Sequence, residues 1–281
     1  MAEIIDGKAV AARFKYIAKT RAAKFESEHG RRVGLAVVRV GDDPASGIYV
    51  RNKVRACEEC GVASYVHVFD ETVPEDRLIE FLHELNADDK VDGILVQLPL
   101  PRHINERACI AAISPSKDAD GFNAVNAGKL FLNERGGAVS CTPRGIIELI
   151  KSTGVPIAGK HAVVIGRSNI VGKPIAALLL NNDATVTVCH SKTQNLAEYT
   201  RRADILVVAV GKKHFVTADM IKPGATVIDV GMNRDESGLY GDVDFEAAKR
   251  VADYITPVPG GVGPMTVAML ILNTVDGACN E

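Results

Sequence analysis

HAVVIGRSNIVGKP, residues 161–174, is the stretch whose reading decides the fold. Residues 161–165 form a short apolar run suited to a strand buried on both faces. Gly166 ends that run, and a helical pattern follows over 170–181, with Gly172 at the far end of the turn. A strand–turn–helix with glycines at both ends offers backbone N–H groups and a helix N-terminus to a pyrophosphate. Ser168 stands where the middle glycine of a full G-x-G-x-x-G would be. A tight βα turn with no ligand reads the same way, so the surrounding chain has to decide.

Downstream, the spacing predicts strands over 184–189, 204–209 and 226–230, with helices over 194–202 and 217–221 between them. Upstream, a long amphipathic helix over 7–28 precedes strands at 33–40, 62–69 and 91–97. Helices are predicted from Pro44 to Cys60, ended by Gly61, then over 74–86 with Pro74 at its start, and near 105–113. Residues 114–137 are rich in Gly, Asn, Asp, Ser and Pro and read as a long hinge loop, followed by a helix over 143–152. The last helix, about 264–276, is apolar almost all round and should be buried against the first lobe. The fold class predicted is α/β: two α/β domains, the second a Rossmann-like nucleotide-binding domain, with a cleft between them. The first domain takes 1–139 and 266–281, and the second 140–265.

Composition narrows the function. A chain of 281 residues with 47% hydrophobic and 24% charged side chains belongs with ordinary globular proteins. A net charge of −2 leaves no electrostatic footprint for nucleic acid or an anionic membrane. The start, MAEIIDGKAVAARF, lacks the layout of a signal peptide, and no run is long enough for a spanning helix, so a cytoplasmic location is expected. Six scattered cysteines do not resemble a secreted disulfide framework. Cys57 and Cys60 make one C-x-x-C without the second pair that a zinc site would want, so no metal is expected.

Candidate site residues come from strand ends and one helix face. About 20 residues after the glycine turn, an NAD binder usually carries an acid for the ribose hydroxyl. Here the strand TVTVC runs into His190, Ser191 and Lys192, and Ser191 with Arg167 suits a 2′-phosphate, so NADP is favoured over NAD. Ser191 as a plain helix cap is the alternative. Met232, after the strand TVIDV, either closes over the cofactor or makes an ordinary apolar contact. On the helix from Pro44, Ser46, Tyr49 and Lys53 fall within an arc of roughly 60°. Lys53 sits on the inward half, where it could act as acid or base, with Tyr49 one turn earlier; a snorkelling Lys beside a rim Tyr is the plainer reading. Gln97 ends the strand VDGILVQ. Asp118 and Asp120 lie in SKDADGF, as ligand acceptors or as turn residues beside Gly121. The glycine loop over 257–264 permits close approach of backbone to a ligand, or is a linker.

Taken in order, PASGIYVRNKVRACEECG, VDGILVQLPLP, KDADGFNAVNAGKL, CTPRGI, VVIGRSNIVGKP, CHSKT, ADILVVAVG, GATVIDVGMN and TPVPGGVGPMTVAML span nearly the whole chain. Together they resemble the methylenetetrahydrofolate dehydrogenase/cyclohydrolase family. The resemblance implies a bifunctional enzyme of one-carbon metabolism. It would oxidise 5,10-methylenetetrahydrofolate with NADP and hydrolyse the methenyl product to 10-formyltetrahydrofolate. By that resemblance, Lys53 is catalytic, Tyr49 packs on the folate, Gln97 positions Lys53 and Asp120 holds the pterin. Val96, Leu98, Pro259, Gly260, Gly261 and Val262 match folate-lining positions. Gly166, Arg167, Ser168, Ser191 and Met232 match the nucleotide site, and a homodimer is implied. Gly47 and Asn123 depart from the pattern, standing where a larger residue and a His are usual. The rival readings are a dehydrogenase of another small substrate, such as a shikimate- or amino-acid-type enzyme, and a non-catalytic nucleotide-binding protein. The first should not need the paired Tyr49 and Lys53 and the PGGVG loop together, and retention of Tyr49, Lys53, Gln97 and Asp120 argues against the second.

Overall fold

The computed structural model describes residues 1–236 and 238–279, with side chains throughout except at Pro44 and Ala45. The first elements in chain order are β1 (Glu3–Ile4), α1 (Gly7–His29), β2 (Gly34–Val40), α2 (Pro44–Cys60), β3 (Ala63–Phe69), α3 (Glu75–Ala87) and β4 (Gly93–Val96). Then come α4 (Glu106–Ala112), α5 (Ala124–Phe131), α6 (Cys141–Ser152), β5 (His161–Ile165), α7 (Gly172–Asn181), β6 (Thr185–Cys189), α8 (Leu196–Thr200) and β7 (Ile205–Val208). The chain closes with β8 (Thr226–Asp229), β9 (Asn233–Asp235), β10 (Gly238–Tyr240), α9 (Phe245–Ala248), β11 (Tyr254–Ile255) and α10 (Val262–Ala278). Two compact α/β units result: Arg13–Cys141 with Val267–Glu281, and Met1–Ala12 with Thr142–Thr266.

The first unit is built on a parallel sheet in the order β3-β2-β4. β2 is central and buried along nearly its whole length, as its unbroken apolar run requires. Leu78, Leu82 and Leu85 of α3 recur at the spacing of one helix face and pack on Val38, Ile94 and Val96. α2 starts where the Asp43 carboxylate accepts the Ser46 N–H at 2.7 Å. It stops at Gly61, whose φ of 74° lets its N–H turn back to the carbonyls of Cys57 and Glu58. α10 is buried from Ala268 to Val275, as its all-round apolar sequence predicts. Thr274 presses against Gly93 of β4.

The second unit carries a six-stranded parallel sheet in the order β1-β11-β8-β7-β5-β6. Because β6 lies on one side of β5 and β7 on the other, the winding reverses there. The crevice outside the carboxyl ends of β5 and β7 is therefore the switch point at which such sheets bind ligands.

Two expectations need correction. Residues 1–12 belong with the second unit, because β1 pairs with β11 at Glu3↔Tyr254 and Ile4↔Ile255. A strand of two residues has no period to read. The span 114–137 is not one loop either. It holds a 3₁₀ turn, Pro115–Lys117, and α5, which Asn123 caps by accepting the Val125 N–H at 2.9 Å. Polar composition hid a helix that is held by its cap and its neighbours rather than by a long apolar stripe. The hairpin β9–β10 and the short elements α9 and β11 were also not anticipated.

Candidate active site

In the first unit, α2 presents Lys53 half-buried, one turn after the exposed Tyr49. The Lys53 Nζ donates to the Gln97 Oε1 at 3.0 Å. Gln97 follows β4, and its Nε2 donates to the Leu98 carbonyl at 2.7 Å. A carbonyl can only accept, so this bond fixes the amide and turns its oxygen toward the lysine. The Gln97 N–H itself is held by the Val38 carbonyl at 2.8 Å, which continues the β2–β4 ladder by one residue. Val96 is buried in the core and Leu98 packs half-buried against it, so Val96 has backbone rather than side chain to offer a ligand.

The two candidate aspartates part company. The Asp118 carboxylate accepts from the N–H groups of Gly121, Phe122 and Asn123 and from the Asn126 amide, at 2.8–3.2 Å. It is occupied in shaping its own loop. Gly121, at φ 72°, lies so close to Val139 and Ser140 that no side chain fits there. Asp118 also bridges Ile94 beside β4, which brings the loop alongside the Gln97 strand. The half-buried Asp120 is the carboxylate left over. Burial chiefly raises its acid, Lys53 pulls it back in part and Asp118 raises it again, which leaves it at about 6.

In the second unit, Gly166 (φ 121°) and Gly172 are obligatory. A Cβ on the first would strike the Ala209 carbonyl at the end of β7, and on the second the Gly166 carbonyl. Ser168 accepts the N–H groups of Val171 and Gly172 through its Oγ, at 3.1 and 3.3 Å. A serine in place of the middle glycine thus caps the turn into α7. The register Ile165↔Cys189 puts Arg167 and Ser191 the same two residues beyond paired strand ends, and both are exposed. Ser191 does not cap α8, whose N-cap is Asn195 with no side-chain cap bond. Met232 is half exposed beyond β8. In the loop 257–262, Gly261 is hemmed in by Thr256 and the Pro257 carbonyl, and Gly7 of α1 abuts the Gly261 carbonyl. Gly260 has φ 109°, Pro259 follows a cis peptide bond, and Val262 is buried.

Known proteins match both units. Residues 5–120 match the family model of the tetrahydrofolate dehydrogenase/cyclohydrolase catalytic domain, and residues 140–281 that of the NAD(P)-binding domain. The chain belongs to the tetrahydrofolate dehydrogenase/cyclohydrolase family. A bifunctional FolD protein from Janthinobacterium sp. (strain Marseille) is 55% identical over 281 residues, covering 100% of this chain and 99% of the relative. Among solved structures, the FolD enzyme of Campylobacter jejuni superposes with a TM-score of 0.97 at 49% identity, covering 100% of this chain and 99% of that one. The Trypanosoma brucei enzyme, solved with NADP and an inhibitor, gives 0.94 at 42% identity, covering 99% and 97%.

Within this tetrahydrofolate dehydrogenase/cyclohydrolase, both departures from the family pattern have a structural setting. The space above Gly47 is taken by the Arg39 guanidinium, which also bonds the Gly41 carbonyl and Asp42. Asn123 is buried, caps α5 and donates to the Ile113 carbonyl at 2.9 Å, so it ties α5 to the end of α4. One supporting residue escaped the sequence reading. Asn273, buried in α10, donates to the carbonyls of Ala119 and Val139 at 2.9 and 2.8 Å and so ties the backbone just before Asp120 to the segment whose Cys141 N–H bonds the Asp120 carbonyl at 3.2 Å. A lone Asn inside MTVAMLILNTV was the available signal. The C-x-x-C pair is buried in α2, and burial pushes the Cys57 thiol up to about 12, which leaves it little thiolate.

Proposed function

We propose that this chain oxidises 5,10-methylenetetrahydrofolate with NADP and hydrolyses the methenyl product to 10-formyltetrahydrofolate. The observation that carries this reading is the Lys53–Gln97 hydrogen bond within electrostatic reach of Asp120. The Gly166–Ala209 approach, with no acid at the end of β6, fits a dinucleotide bearing a 2′-phosphate. When bound, NADP accepts the hydride that leaves the methylene carbon. Asp120 accepts the pterin N–H groups as a carboxylate, and Tyr49 covers a face of the ring.

Hydrolysis needs no redox partner. As water adds to the cationic carbon, Lys53 takes one of its protons. Lys53 returns a proton to N5 as the carbon–N5 bond breaks, the second water proton goes to solvent, and the formyl group stays on N10. Gln97 holds the amine in line through both transfers. Purified protein given methylenetetrahydrofolate and NADP should form 10-formyltetrahydrofolate. Nucleotide binding without folate turnover would refute this.

Cofactor preference follows from Arg167 and Ser191. Replacing Arg167 by Ala should raise the KM for NADP by about 10–100-fold and leave that for NAD nearly unchanged, since a charge-assisted bond to a 2′-phosphate is worth roughly 1.5–3 kcal/mol. Equal wild-type rates with the two cofactors would contradict the assignment.

A homodimer is part of the same reading. β3 lies at the edge of its sheet, paired on one side only, and carries exposed Val66 and Val68. An exposed apolar edge strand is a template for a second copy. The substitution V68K should shift the mass measured by light scattering from twice 30.0 kDa to 30.0 kDa. No helix among the described residues is long and apolar enough to cross a membrane. The free thiols fit a reducing, cytoplasmic compartment.

A further inference from the structure

Beyond the residues matched to the family, two buried carboxylates stand at the carboxyl end of the second unit's sheet. Asp229 ends β8, and Asp242 follows the β9–β10 hairpin. Asp229 accepts the N–H groups of Gly231, Asp242 and Val243 at 2.8–2.9 Å. Asp242 accepts three consecutive N–H groups: Val210 at 2.7, Gly211 at 2.9 and Lys212 at 2.8 Å. It also accepts the Asn233 amide at 2.9 Å. Three successive N–H groups turned to one point form a nest for an anion. Here the protein's own carboxylate fills it.

The crowding is specific. A Cβ on Gly231 would meet the backbone and carboxylate of Asp242, and one on Gly241 would meet the carboxylate of Asp229. The segments so joined are functional in position. Residues 210–212 follow directly on Ala209, whose carbonyl faces Gly166 across the switch point. Residues 231–233 contain Met232. A second layer of contacts repeats the link, with Lys213 bonded to Asp235 at 2.6 Å and lying 3.3 Å above the Tyr240 ring.

We propose that Asp242 is a positioning residue for the nicotinamide cofactor, fixing the strand-end segments 209–212 and 231–233 that flank the β5/β7 crevice. The inference rests on the reading of that crevice as the NADP site. Asn in place of Asp242 keeps one acceptor but turns an N–H₂ group toward donors that it cannot satisfy. In D242N the KM for NADP should rise roughly tenfold, as expected when one buried charge-assisted bond is replaced by a repulsive contact. Hydrolysis of preformed methenyltetrahydrofolate, assayed without nucleotide, should stay within about twofold, because that step uses no cofactor. The exchange D242N/N233D restores a donor–acceptor pair at that position and should recover most of the NADP affinity.

A wild-type KM in D242N, with R167A still raised, would overturn the positioning role and leave the cofactor site standing. Wild-type values in both variants would overturn both readings. Loss of both activities in D242N without recovery in the exchange would make Asp242 an ordinary folding residue and overturn the proposal.

Discussion

Replacing Lys53 with alanine is expected to slow methenyltetrahydrofolate hydrolysis by at least ~100-fold, the usual range for loss of a positioned acid–base group. Folate binding should change by less than about threefold, because the lysine's work is in moving protons rather than in holding the ring. The oxidation step should suffer less than hydrolysis, since it needs orientation rather than proton transfer. Arginine is not expected to rescue the variant: a guanidinium donates to Gln97 but does not release a proton. A second effect follows from the site's electrostatics. Lys53 pulls the Asp120 acid down against the push of burial, so its loss should raise that acid above its present value of about 6. Stopped-flow absorbance of the methenyl chromophore reads the hydrolytic rate directly. An undiminished rate in Lys53→Ala would remove Lys53 from the mechanism.

Asp120 should show opposite effects on binding and stability. Its acid lies at about 6 in the folded protein against 3.8 for the unperturbed group. The folded state therefore holds the proton more tightly than the unfolded state. The stabilisation this gives is complete below about pH 4 and lost as pH rises through about 6. At neutral pH the carboxylate is thus a burden on the fold. D120N should raise stability at pH 7.5 by about 1–2 kcal/mol, less than the full shift implies because the group is only half-buried. The same change should weaken folate binding by about 10–100-fold, the worth of a charge-assisted hydrogen bond. In the wild type the folate KM should climb as pH falls below about 6, when the carboxylate takes up its proton. In D120N that limb of the profile should be flat. Thermal melts and KM measurements from pH 5 to 8, roughly spanning the titration, test both signs. A destabilised D120N with an unchanged pH profile would show that Asp120 is structural.

Local chemistry explains why much of this was legible in the chain. The run at 33–40 has one stable fate, a strand buried on both faces, and it became β2. Pro44 and Gly61 bound α2 because each is suited to one end of a helix, and the structure places both ends there. The inward face of Lys53 followed from 100° per residue and nothing more. The strand–turn–helix at 161–181 was also legible, and Gly166 and Gly172 are set there by backbone crowding that no side chain could survive.

The residues that tertiary structure decided are those whose partners lie far along the chain. Asp118 and Asp120 differ by two positions and share one composition. Only the fold hands Asp118 four N–H donors and leaves Asp120 near Lys53. The strand β1 exists because β11, some 250 residues later, offers it an edge at Tyr254 and Ile255. Asp229, inside the strand predicted over 226–230, and Asp242, which the chain does not mark out, gain their roles only from N–H partners at 210–212, 231 and 242–243. Sequence by itself determined the period, the caps and the family, because those rest on neighbours within a turn or two and on motif order. The protonation of Asp120 and the joining of the two crevice segments depend on burial and on distant donors, and only the packed structure supplies those.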